Sequence, residues 1–79
     1  MLKSELVSLQ KLMEEIIAKL SEKKRTRKKL KDYLIGLVKG AATTSDLIGL
    51  TNVLLEISDN PSVADLAKEA IRLILQSLL

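Results

Sequence analysis

Leu2, Leu6, Leu9, Met13, Ile16 and Leu20 step along the chain by 4, 3, 4, 3 and 4 residues. Only an α-helix lines up side chains at that spacing; a strand would divide them between two faces. Leu12 and Ile17 widen the stripe toward a full core face. Opposite them, Lys11 with Glu15 and Glu15 with Lys19 sit at i,i+4 spacing, which favours the helix further. Ser4 is a candidate cap for its start. A chain that opens on such a stripe must bury it against other helices or another sheet. The remaining sequence offers only helices.

The stripe stops at residue 20. Ser21 to Lys29 contains no apolar residue, and the positions that would extend the stripe are Lys23, Lys24 and Arg27. We read a connection here, with Thr26 as N-cap of a second helix over 27–39. The alternative is one long helix over 3–39, since Lys, Arg and Glu favour helix. Against it, the break in the apolar pattern is complete. In helix two Leu30, Leu34, Leu37 and Val38 are expected to face inward, and Gly40 suits the left-handed residue after a helix end. Thr43 and Asp46 have the spacing of a capping box, with Asp where Glu or Gln is usual.

A third helix is expected over 44–58. Leu47, Leu50, Leu54 and Ile57 form one stripe and Ile48 and Leu55 a second, which predicts a central helix with neighbours on both sides. Gly36 and Gly49 fall inside helices two and three, where glycine costs about 1 kcal/mol relative to alanine, so a close helix crossing is expected. Ser58-Asp59-Asn60-Pro61 is the strongest punctuation in the chain, with Asn60 as N-cap and Pro61 as first helical residue. Helix four, 61–78, is expected to bury Val63, Leu66, Ala67, Ala70, Ile71, Ile74 and Leu78. Its short connection to helix three predicts a tight hairpin. The reading is one all-α domain over 1–79, a compact bundle of four helices spanning 3–22, 27–39, 44–58 and 61–78.

Composition restricts the chemistry. The 79 residues contain no His and no Cys, which removes thiolate nucleophiles, disulfides and Cys-based metal sites. It also removes the one side chain that titrates near neutrality unaided. The neighbouring carboxylates Glu14/Glu15 and Asp65/Glu69 lie among lysines on faces expected to be solvated, not in a cleft. The isolated glycines form no phosphate loop. Enzymatic activity is therefore not expected, and no catalytic residue, metal site or cofactor is assigned. Apolar runs of three or four residues are too short to span a bilayer. No signal-peptide core follows the N-terminus, so a cytoplasmic or recombinant protein is the default expectation.

Charge is uneven. Residues 1–39 hold eleven Lys/Arg and five Asp/Glu, net +6, while residues 40–79 hold two and five, net −3. Lys23, Lys24, Arg25, Arg27, Lys28 and Lys29 form a candidate contact for phosphate, nucleic acid or an anionic surface. No aromatic lies among them to stack on bases, and the plainer reading is a solvated connection. A second candidate surface is Ile71, Leu75, Leu78 and Leu79, where helix four is apolar nearly all round. A homodimer through helix four is one expectation; a last core helix is the other.

Two resemblances follow from residues 40–79. Gly40…Thr43-Thr44-Ser45-Asp46, Asp59-Asn60-Pro61-Ser62-Val63 and Leu66-Ala67-Lys68-Glu69-Ala70-Ile71-Arg72-Leu73 resemble the caps and helices of de novo designed helical bundles and helical-repeat proteins. That likeness implies a designed or redesigned protein with no evolved biochemical activity. Ile48-Gly49-Leu50-Thr51-Asn52-Val53, followed by Val63, Leu66-Ala67-Lys68 and Ile71, is similar to the N-terminal helical domain of TFIIS- and elongin A-type transcription elongation factors. This second likeness implies a protein-docking bundle. The functional expectation is thus a non-enzymatic helical protein. Its alternative is a natural interaction module with a basic segment able to meet phosphate or acidic partners.

Overall fold

A computed structural model describes residues 2–20 and 23–79 and contains four helices: α1 (Lys3–Lys19), α2 (Lys24–Val38), α3 (Thr44–Ile57) and α4 (Ala64–Leu78). Each packs on two neighbours. α1 lies against α2 and α4, α3 lies against α2 and α4, and the diagonal pairs do not meet. Helices of 14–17 residues are about 21–25 Å long at 1.5 Å per residue. They account for most of the 31 Å long axis of a body 20 Å across.

The core runs along the axis of this ring. Leu9, Met13, Ile16, Ile17 and Leu20 enter it from the first stripe, Leu30 and Leu37 from α2, and Leu50, Val53, Leu54 and Ile57 from α3. Val63, Ala67, Ala70, Leu73 and Ile74 complete it, and no polar or charged residue is buried among the described residues. A ring of four has no central helix, which corrects the expectation for α3. Its second stripe faces solvent, with Ile48 51% and Leu55 55% exposed. Val38 and Leu2, also expected inside, are exposed as well, because they lie beyond the edge or the end of the faces their helices bury.

Connections differ from expectation at three places. α1 ends at Lys19, and Leu20 leaves the helical backbone (φ −90°, ψ 67°) to tuck its side chain into the core. The expected last residues of that helix, 21 and 22, lie outside the described residues. α2 already starts at Lys24, so Thr26 is inside the helix and not its cap; the Arg27 N–H donates to the Lys23 carbonyl at 2.9 Å. Good helix formers extended the helix back into the basic run. Ser4 likewise lies inside α1, whose N-cap is Leu2, without a side-chain cap. The third difference is at Asn60. Its Oδ1 accepts from the backbone N–H (3.1 Å) and hydroxyl (2.7 Å) of Ser62, closing a turn. Val63 (φ −128°, ψ 1°) separates that turn from α4, so Pro61 is not in the helix.

The α2–α3 corner follows the sequence closely. Gly40 takes φ +70°, the Ala41 N–H donates to the Gly36 carbonyl (2.9 Å) and the Gly40 N–H to that of Leu37 (3.2 Å). These two bonds are the Schellman pattern and satisfy carbonyls a helix end leaves free. Thr43 and Asp46 then exchange reciprocal side-chain-to-backbone bonds of 3.1 and 2.9 Å, a full capping box. The glycines inside the helices divide. A Cβ on Gly36 would meet nothing within 4 Å, which corrects the expected crossing there. Gly49 receives the phenol of Tyr33 from α2, with the hydroxyl nearest and Cζ 3.3 Å from where a Cβ would stand.

Candidate functional site

All four helices contribute to a cleft of about 330 Å³ lined by Leu6, Leu37, Gly40, Ala42, Thr43, Thr44, Leu47, Ser77 and Leu78. These residues fix the topology. They come from the start of α1, the end of α2, the start of α3 and the end of α4, so successive helices run up, down, up and down. The cleft marks one end of the bundle. It exists because small residues hold the corner there. Gly40, Ala42, Thr43, Thr44 and Ser77 leave the leucines of four helices without side chains to close over them.

The same end collects the exposed aliphatic side chains. Leu2, Leu78 and Leu79 are 69%, 37% and 105% exposed, and Val38, at the end of α2, is 64% exposed. Ile35, Ile48 and Leu75 stand one turn further along and are each about half exposed. Of the large exposed hydrophobics, only Leu55 belongs to the opposite end. The residues expected to form a partner surface, Ile71, Leu75, Leu78 and Leu79, divide. Leu75, Leu78 and Leu79 face solvent, whereas Ile71 is half-buried against the core.

Charge sorts along the same axis. Within about two turns of the apolar end stand Lys3, Lys31, Lys39 and Arg72 against Glu5, Asp32 and Asp46, a net +1. The other +2 of the formal net charge resides in the rest of the molecule. There the basic run surrounds the start of α2. Lys23, Lys24, Arg25, Lys28 and Lys29 are exposed, and Arg27 is half-buried with its Nε enclosed and without a hydrogen-bond partner. Lys23 makes no side-chain cap and the first turn of α2 has no acidic residue, so cations sit where the helix dipole opposes them.

The one ion pair among the described residues joins Glu69 and Arg72 on the outside of α4. The side-chain hydrogen bond from Arg72 holds the Glu69 carboxyl below its ordinary range and raises the Arg72 guanidinium, to which Glu5 of α1 adds a smaller attraction. The pairs expected from spacing, Lys11 with Glu15 and Glu15 with Lys19, do not meet.

No titratable side chain lines the large cleft. A smaller one of about 190 Å³ brings Asp32, Asp46 and Tyr33 beside Gly36 and Ala42, but Asp46 already serves the capping box. Among the described residues no three His, Cys, Asp or Glu side chains group as metal ligands, and no helix is long and apolar enough to cross a membrane. The cleft and the exposed Ile35, Val38 and Ile48 were not anticipated from sequence. The signal for the latter was present: each sits off the buried stripe of its own helix by roughly 80–160° at 100° per residue. Comparison with protein-family models, with curated proteins and with solved structures finds no match to this chain.

Proposed function

We propose that this chain is a non-enzymatic helical module that docks a protein partner through its apolar end. The concentration of exposed aliphatic side chains from four helices toward the end of the bundle that also holds the cleft carries this reading. Apolar surface facing water costs about 25 cal/mol per Å², and a monomer that keeps a large patch of it generally uses it for contact. With leucines, small residues and three hydroxyls in the cleft, recognition there rests on shape and apolar burial. A photo-reactive residue at position 75 should give a discrete protein adduct in the producing cells, lost when Leu78 and Leu79 become Ser. The same probe at position 55, on the opposite end, should give none. Adducts that ignore the Leu78 and Leu79 changes refute the reading.

A designed or redesigned bundle without evolved activity is the second reading. It is favoured by the full Schellman and capping-box pair at one corner. It ranks second because a designer avoids exposed Ile and Val clusters and cations in a first turn. The basic end is a subsidiary contact for phosphate or acidic partners. Any such binding should weaken steeply with salt and be lost when Lys24, Arg25, Arg27 and Lys28 become Glu.

A further inference from the structure

We infer that the outer face of α2 rests on an anionic lipid bilayer. This narrows the basic contact above to lipid headgroups and does not depend on protein docking: Leu75 and Leu79 belong to α4, diagonally across the bundle from α2. Lys24, Lys28, Lys31, Ile35, Val38 and Lys39 are all exposed. At 100° per residue they fall within one sector of about 100°, along about 22 Å of helix. Lysines stand at both ends of this sector, and its two aliphatic side chains are each half exposed or more. Asp32, the one acid of α2, lies beyond its edge. Leu30 and Leu37, on the far side, are buried in the core, so the fold itself turns this face outward.

Charge sets the orientation. Residues 23–39 hold eight Lys/Arg and one Asp, net +7, while the remaining residues hold five Lys/Arg and nine Asp/Glu, net −4. An anionic surface attracts this one helix and repels the rest of the chain, which turns α2 toward it.

Residue types choose the occupant. All four cations of the sector are lysines, which meet anions as point charges, whereas fixed phosphate or carboxylate geometry favours the planar fork of Arg. Arg25 and Arg27 lie beyond the sector's edges, and Arg27 is half-buried. A strip one helix wide is too narrow for a specific protein interface, which takes ~800 Å² per partner; a fluid bilayer needs no matching shape. Against a nucleic-acid backbone Ile35 and Val38 gain nothing, and no aromatic lies in the sector to stack on bases. At a bilayer the ammonium groups stay among the headgroup phosphates while the aliphatic side chains reach the acyl boundary. Each lysine near such a surface raises partition about fivefold, so four raise it on the order of several hundredfold. The attachment is reversible and sensitive to salt.

Flotation of the purified full chain with phosphatidylcholine vesicles containing about one-third phosphatidylserine tests this. The chain should float with them at low salt, stay behind with phosphatidylcholine alone, and be released as salt rises. K28E/K31E should weaken attachment at least about 25-fold, from about fivefold per lysine. K11E/K68E, the same charge change on α1 and α4, should weaken it far less. I35S/V38S keeps every charge and should weaken it about fivefold or more. All of these side chains are exposed, so the variants should keep the wild-type melting curve. Equal loss with K28E/K31E and K11E/K68E would reduce the effect to net charge and overturn the assignment to α2. Attachment that ignores I35S/V38S, or flotation with phosphatidylcholine alone as strong as with the serine lipid, overturns the combined face. No flotation at low salt, with binding to duplex DNA, keeps the basic contact and overturns the bilayer. Binding to neither overturns both.

Discussion

Gly36 and Gly49 look alike in the sequence, each a glycine inside a helix, but opposite outcomes are expected when they become alanine. Alanine is favoured over glycine in a helix by about 1 kcal/mol. At Gly36 the new methyl meets nothing within 4 Å, so most of that gain should appear. A stabilisation of about 0.5–1 kcal/mol raises the melting temperature of a domain this size by roughly 2–8 °C. At Gly49 the methyl lands on the Tyr33 hydroxyl and stands 3.3 Å from Cζ. Tyr33 is half-buried and packed on the core, so it has limited room to retreat. Overpacking of this kind costs about 1–3 kcal/mol, which cancels or exceeds the helix-propensity gain. Y33F removes the nearest atom. In that background G49A should be less destabilising by about 0.5 kcal/mol or more, the coupling expected of residues in contact. Urea and thermal unfolding followed by far-ultraviolet circular dichroism measure all four corners of the cycle. If G49A stabilises as much as G36A with or without the hydroxyl, Tyr33 does not rest on Gly49 and the α2–α3 packing described above is wrong.

Three further outcomes are expected. Leu54 is fully buried at the ring's centre, so L54A should cost about 2–5 kcal/mol. Against the ~4–12 kcal/mol available to a chain of this length, that loss should be plain in urea unfolding, and a midpoint within error of wild type would contradict the core assignment. Lys24 opens α2 with no acidic residue in the turn, so K24E should stabilise the fold by about 0.3–1 kcal/mol at low salt, and less as salt is added; destabilisation would mean the cation has a favourable partner. Glu69 has a lowered pKa in the folded state. Its contribution is thus present above the unfolded carboxyl pKa and lost as pH falls through the folded one. E69Q should lower stability in the neutral range, and the difference from wild type should vanish as pH falls through the folded carboxyl pKa, as melting curves across pH would show.

Helix number and most inward positions were legible because the 3.6-residue period is local information. The corner at Gly40 to Asp46 was legible for the same reason: both caps are bonds between residues a few positions apart. What the period could not decide was how many faces of each helix find a neighbour. Ile48 and Leu55 made α3 look enclosed, but in a ring each helix has two neighbours on adjoining sides and one side left in water. The start of α2 was misplaced for a different reason. A missing apolar pattern was read as a missing helix, although Lys and Arg hold a helix well without one. Asn60 offered the right side chain for a helix cap and used it on the turn before the helix.

The end-to-end polarity of the molecule is a property of topology that no single segment carries. Leu2, Val38, Ile48 and Leu79 are up to 77 positions apart in the chain. They come together only because alternate helices reverse direction, which puts two starts and two finishes at the same end. The basic run is local in sequence and would be a plain solubilising segment on either side of a bundle. The up-and-down topology sets it at the end of the bundle opposite most of the exposed aliphatic side chains. The same alternation explains why the cleft cannot be filled by one substitution read from the sequence. Its walls belong to four helices, and a larger side chain at Ala42 or Thr44 would have to fit all of them at once.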